Sequence, residues 1–180
     1  MTPLRIRWPA GLLATPGDAQ SPLAFPIRAP SMIDLNEHLS AARVGDLVGK
    51  TKDQVLEEMV GLVCTSDAVA DRAALLGAVK ERERVLSTGI GLGIAIPHAK
   101  IPGVARFVVA VGRHVQGIDF DAIDGKPVHL VVLIAGPQDA QDRYLRLLAK
   151  LSGRLKQDEV RKRILAAKSS QEIVTILNGA

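Results

Sequence analysis

Gly89-Ile90-Gly91-Leu92-Gly93-Ile94-Ala95-Ile96-Pro97-His98-Ala99 is an apolar run broken by alternating glycines and stopped by a proline, which delivers a single histidine. Glycine supplies tight turns and close backbone approach, and proline interrupts regular pairing because it has no N–H to donate. His98 therefore leaves the run at a defined point. Neutral imidazole is a competent nucleophile near pH 7 and can carry a covalent intermediate, which makes His98 the candidate reaction centre. On spacing alone a lone histidine beside a proline is more often structural, and the residues by themselves make His98 only a candidate.

Working outward, the punctuation is regular from Met32 onwards. A short strand is expected over Arg43 to Val48, leading into Gly49-Lys50-Thr51. Thr51 with Gln54 forms a capping box, and the helix it opens is expected to run to about Cys64. Asp67 is expected to cap a second helix, with Val69, Ala73, Leu76 and Val79 on its apolar side and its end near Arg82. Beyond His98, Arg106 to Val111 and Val128 to Ala135 are rich in Val, Ile and Leu and bounded by Gly, Pro and Asp, as strands buried on both faces are. The chain between them turns at Asp124-Gly125. Gln138 to Leu155 and Asp158 to Ala167 read as helices, and a shorter one opens at Ser169 or Ser170 with Glu172 behind it. This order predicts an α/β fold, a single mixed β-sheet sandwiched by helices.

With 180 residues, 47% of them hydrophobic, the chain has material for one well-packed domain. Pro3, Pro9, Pro16, Pro22, Pro26 and Pro30 crowd into residues 1–31 without any helix or strand period, so an irregular tail is expected there and the domain over 32–180. Arg5 and Arg7 before Trp8 to Ala14 faintly resemble a secretory leader, but Pro9 interrupts that short apolar stretch. No apolar run approaches the roughly 20 residues of a membrane span, so stable membrane insertion is not expected. Cys64 is a lone cysteine in the apolar stripe of a helix, and the cytoplasm is the expected location.

Several other chemistries are excluded by spacing. Aromatic residues make up only 3% of the chain, too few for a surface that stacks single-stranded nucleic acid. Arg143, Arg146, Lys150, Arg154, Lys156, Arg161, Lys162 and Arg163 fall among helix-spaced leucines and read as a solvated helix face, with no recognition motif beside them. Gly45-Asp46-Leu47-Val48-Gly49-Lys50-Thr51 is one residue short of a phosphate-binding P-loop, and strand, turn and capped helix is the simpler reading. Gly89, Gly91 and Gly93 lack the third glycine of a dinucleotide fingerprint, since Ile94 stands there. Asp119, Asp121 and Asp124 miss the calcium-loop spacing, with Leu130 where a glutamate belongs. His38, His98, His114 and His129 show no paired local spacing, and there is no Gly-x-Ser-x-Gly elbow. Neither a metal nor a cofactor is expected.

Extended to Ser87-Thr88, the run through Ala99 resembles the active-site signature of the fructose/mannitol-type (type 2) enzyme IIA domains of the phosphoenolpyruvate-dependent sugar phosphotransferase system. The likeness includes Glu83 at the opening position and continues through Gly117-Ile118-Asp119-Phe120-Asp121-Ala122 and Asp124-Gly125-Lys126-Pro127-Val128, covering roughly residues 32–180. The resemblance implies the enzyme IIA fold and a phosphohistidine carrier. His98 would accept a phosphoryl group from the phosphocarrier HPr and donate it to an enzyme IIB, or use its phosphorylation state as a regulatory signal. The family's conserved arginine aligns with Arg82, whose guanidinium can hold phosphoryl oxygens in a fork. Backbone amides of Gly89, Gly91 and Gly93 and a hydroxyl of Ser87 or Thr88 are further candidate donors, against their plainer role in turns and close strand packing.

Two residues depart from the family pattern. Tyr144 takes the place where many members have a second active-site histidine. Its phenol can donate a hydrogen bond, but with a pKa near 10 it cannot supply an imidazolium's charge. Leu92 stands where members of the nitrogen-related regulatory subgroup often have asparagine, which weakens assignment to that subgroup. The sequence carries no IIB, IIC or HPr region, which favours a free-standing regulator over a sugar-uptake component. The alternative function is a non-phosphorylated regulatory interaction module of the same fold, with His98 a relic and Tyr144 its main support.

Overall fold

The computed structural model describes residues 33–179. The expected tail over residues 1–31 lies outside them. A 3-10 turn, Leu35–Glu37, precedes strand β1, Leu39–Asp46, and helices α1, Lys52–Val63, and α2, Arg72–Val85. Three short strands follow: β2, Gly89–Gly91, β3, Ile94–Ala95, and β4, His98–Lys100. The long strands β5, Val108–Ile118, and β6, Val128–Gly136, come next, and then helices α3, Gln141–Leu155, α4, Asp158–Ala166, and α5, Ser170–Asn178.

The two apolar runs form the centre of the sheet. β5 and β6 pair antiparallel, with Val109 opposite Ile134 and Val111 opposite Val132. β1 lies parallel beside β5, and β3 lies parallel beside β6 with β2 antiparallel outside it, giving the order β1-β5-β6-β3-β2. Both β3 and β4 pair with the same edge of β6. The mixed sheet expected from the element order is present.

Alternation explains why the central strands read as unbroken apolar runs. Val109, Val111, Leu130, Val132 and Ile134 face a core shared with Leu147, Leu151 and Leu155 of α3 and with α4 and α5. Val108, Ala110, Val131, Leu133 and Ala135 face the other way, onto Val55, Leu56 and Met59 of α1 and Leu75 and Val79 of α2. Helices cover both faces, so neither set of alternate residues meets water.

The caps and boundaries divide into those that follow the local signals and those that do not. Thr51 caps α1 by accepting from the Gln54 amide at 3.3 Å, while the Gln54 side chain accepts from Lys50 N at 2.7 Å. Ser169 caps α5 through the Glu172 amide at 3.2 Å. The P-loop-like stretch is a strand, turn and capped helix, and Val48 N donates to the Glu58 carboxylate rather than standing open to a phosphate. The cap of α2, however, is Asp71, whose carboxylate accepts from Ala74 N at 2.9 Å. Asp67 instead pairs with Arg106. Backbone pairing wins at that point, because Val69 bridges Val104 and Ala105 N donates to Ala68 O, which holds this segment in a turn and bridge outside the helix. The buried stripe of α2 is accordingly Leu75, Val79 and Glu83, with Ala73 exposed.

The basic residues of the C-terminal helices do more than face solvent. Arg154 donates to Ile176 O, Arg161 to Leu155 O and Lys156 O, and Lys150 to Ile33 O, while Arg143 pairs with Glu37. The bonds from Arg154 and Arg161 go to carbonyls in the last turns of α5 and α3, where intrahelical donors run out.

Candidate functional site

Pro97 sets the position of His98. β3 and β4 occupy successive places along one edge of β6, with Ile94 opposite Leu130 and His98 opposite Ile134. Between them Ile96 N turns aside to Thr88 O at 3.0 Å, and Pro97, lacking an N–H, contributes only its carbonyl to Ile134 N. The chain rejoins the edge at His98. Ala99 points into the core on the α1–α2 face, which leaves the half-buried His98 on the opposite side.

Both ring nitrogens of His98 are engaged. Nδ1 lies 3.0 Å from Ile96 O, and Arg82 Nε donates to Nε2 at 3.1 Å. This network assigns the proton to Nδ1 and leaves the Nε2 lone pair as the acceptor and as the nucleophilic position. Arg82, in the last turn of α2, also donates from a terminal guanidinium nitrogen to Leu86 O at 2.8 Å. Burial lowers the His98 pKa from its usual value, and the charges of Arg82 and Lys100 push it the same way, against the Ile96 hydrogen bond and the charge of Glu83. The ring is therefore held neutral.

Tyr144, on α3, brings its ring to 5.3 Å from the His98 ring, centre to centre, with the planes tilted by 41°. Burial pushes its phenol pKa above the usual value, with Arg82 acting in the opposite sense, so the hydroxyl stays protonated. The three residues singled out from the sequence, His98, Arg82 and Tyr144, are thus brought together from β4, α2 and α3.

Ser87 and Thr88 are not free donors. Thr88 Oγ1 donates to the Glu83 carboxylate at 2.5 Å, and its backbone amide binds the same group. Ser87 Oγ donates to Phe120 O at 2.7 Å and accepts from Gly89 N at 3.1 Å. The glycines take the plainer of their two readings: Gly91, Leu92 and Gly93 have φ of 80°, 59° and 73° and make the β2–β3 turn, and a side chain at Gly89 would meet the Ala122 backbone at 2.7 Å. Sequence reasoning gave Glu83 only a place in a pattern. Its buried carboxylate also binds Lys52 at 2.8 Å, tying α1, α2 and the entry to β2 together. Burial opposes the Lys52 ammonium, but hydrogen bonds to Glu83 and Asp121 outweigh it and hold its pKa above the usual value.

A recess of about 560 Å³ opens beside His98 and Arg82. Leu86, Ile90, Ile123 and Leu148 line it, and Leu86 and Ile123 are 70% and 86% exposed. An apolar rim around a nucleophilic imidazole is a surface suited to another macromolecule.

The sequence profile of the family described as "Phosphoenolpyruvate-dependent sugar phosphotransferase system, EIIA 2" matches residues 40–180. The chain belongs to this EIIA type 2 family. It is 41% identical over 133 residues to the fructose-specific EIIABC component of Bacillus subtilis, an alignment covering 74% of the chain and 21% of that protein's length. It is also 33% identical over 147 residues to a nitrogen regulatory protein of Pseudomonas aeruginosa, covering 81% of this chain and 96% of the relative. Among solved structures, the nitrogen regulatory protein IIA-Ntr of Neisseria meningitidis superposes with a TM-score of 0.74 at 32% identity, over 79% of this chain and 98% of that one. Enzyme IIA mannitol of Escherichia coli, solved in complex with phosphorylated enzyme IIB mannitol, shares the fold with a TM-score of 0.68 at 20% identity, over 79% and 98% of the two chains. Fructose-specific and nitrogen-regulatory relatives are thus similar in sequence, and the IIA-Ntr and IIA mannitol structures share this fold. Among the described residues no helix is long and apolar enough to cross a membrane.

Proposed function

We propose that the chain is a phosphohistidine carrier that accepts a phosphoryl group on His98 Nε2 from an HPr-like phosphocarrier. It passes the group to an enzyme IIB or uses the phosphorylated state to regulate a target protein. The observation that carries this reading is the His98 network: Nδ1 is fixed on Ile96 O and Nε2 is held against Arg82. The Nε2 lone pair attacks phosphorus in line, the bond from phosphorus to the donor's imidazole nitrogen breaks, and that nitrogen leaves with the electron pair. Nδ1 keeps its proton throughout. Once the Nε2–phosphorus bond forms, Arg82 loses its acceptor on the ring, and its guanidinium turns to the phosphoryl oxygens.

The exposed apolar rim of Leu86, Ile90 and Ile123 supports docking of protein donors and acceptors at the same recess. The complex of enzyme IIA mannitol with phosphorylated enzyme IIB supports an enzyme IIB as one acceptor. The working unit in this reading is the domain over residues 32–180, with residues 1–31 as a tail. A cytoplasmic setting accords with the single free thiol of Cys64.

Phosphoenolpyruvate, enzyme I and HPr should add acid-labile mass of about 80 Da to the intact chain, and His98→Ala should abolish it. Arg82→Gln should slow labelling by about 10- to 100-fold, the worth of a charge-assisted fork. Failure of the intact chain to label, with partner binding unaffected by His98→Ala, would replace this reading with the non-phosphorylated interaction module.

A further inference from the structure

Two cations flank His98 without an anionic partner among the described residues. Arg82 binds only the imidazole and a carbonyl. Lys100 is the other. It follows His98 by two positions on β4, so strand alternation places both side chains on one face while Ala99 is buried on the opposite one. Its ammonium donates to Gln141 Oε1 and lies 5.4 Å from the centre of the Tyr144 ring, the same ring that meets His98.

Several other lysines and arginines are neutralised by acids. Lys52 binds Glu83 and Asp121, Lys80 binds Asp53 and Glu57, and Arg113 binds Asp46. Lys100 is held by an amide oxygen and an aromatic face, neither of which cancels its charge. Leaving two like charges near one imidazole is unfavourable unless an anion arrives between them. A phosphoryl group on Nε2 is such an anion.

We infer that Lys100 is the second cation of the phosphoryl site, stabilising the dianion on His98 and the transition state that leads to it, with Tyr144 positioning its ammonium. The inference rests on the phosphohistidine reading above. The charged and titratable groups around the ring are Arg82 and Glu83 on α2, Lys100 on β4 and Tyr144 on α3, and Asp121 and Lys156, at the end of α3, line the same recess. The lowering of the His98 pKa by the Lys100 charge agrees with an ammonium close enough to act on the ring.

Phosphoramidate, a small donor that needs no docking surface, isolates the site from its partners. With the full chain, 31P NMR follows both the labelling rate and the second ionisation of the phosphoryl group. Lys100→Met should label about tenfold more slowly than wild type and raise the phosphoryl pKa, because a nearby positive charge has been removed. Lys100→Arg should restore both. Tyr144→Leu, which removes the ring beside the ammonium, should lose part of the Lys100 effect. An imidazole titration in the unphosphorylated Lys100→Met chain should give a higher His98 pKa, and Lys100→Arg should bring it back to the wild-type value. If wild type labels and Lys100→Met matches it in rate and phosphoryl pKa, Lys100 has no part in the site and the phosphocarrier reading stands. If wild type labels with neither phosphoramidate nor HPr, the phosphocarrier reading falls and this inference falls with it.

Discussion

An imidazole acts as a nucleophile only while one nitrogen keeps its lone pair, and His98 does so because protonation would put a third positive charge beside Arg82 and Lys100 in a half-buried place. Burial first, and then those two charges, hold its pKa below the usual value of about 6.5. His38 shifts the same way, through burial and the charge of Arg143. The unfolded chain therefore binds more protons than the folded one once the pH falls below about 6.5. The stabilisation from these two neutral histidines is complete above that pH and is lost progressively as the pH falls towards their folded-state values. Urea midpoints should accordingly decline between pH 7.5 and pH 5, and His98→Asn with His38→Asn should flatten the decline. Among the site residues, His98 announced itself by its glycine and proline neighbours, whereas Arg82 was found only through a family pattern. Lys100 carried no signal, since a lysine near the end of a strand reads as an ordinary surface residue until the ring beneath it is known.

The β2–β3 turn holds the one non-glycine residue among three consecutive positive-φ positions. Leu92 sits at φ 59°, where an L side chain costs roughly 1–2 kcal/mol, and its amide is fixed by Asp124 Oδ2 at 3.0 Å. Its side chain is 53% exposed, so little burial offsets that cost. Leu92→Asn should therefore stabilise the fold by about 0.5–1 kcal/mol, measured by chemical denaturation, because asparagine tolerates the left-handed region. The same substitution should leave labelling by phosphoramidate unchanged. Elements of this length were the ones the sequence concealed. β2, β3 and β4 are too short to show a period, and their pairing is set by β6, far along the chain. β5 and β6 were legible because burial on both faces imposes a long apolar composition. Asp67 and Asp71 were equally good caps by residue type, and the choice between them was made by the bridge from Val69 to Val104.

At the scale of the molecule, the site exists because two helical layers meet at one edge of the sheet. Arg82 comes from the α1–α2 face and Tyr144 from the α3 face, while His98 stands on the strand between them. The layers share β5 and β6, whose alternate residues belong to opposite cores, so neither face can come apart while the other keeps its strands intact. Leu56→Ala on one face and Leu147→Ala on the other, each removing a fully buried side chain, should each destabilise the domain by about 2–5 kcal/mol. The shared sheet predicts that both variants still unfold in one transition, with far-UV circular dichroism and the NMR signal of the His98 ring giving the same midpoint. Separate midpoints in Leu147→Ala would mean that the α3 layer detaches alone, carrying Tyr144 away from a His98–Arg82 pair that survives on the remaining half. Coincident midpoints would make the His98 site a property of the whole fold, lost only when the sheet is lost.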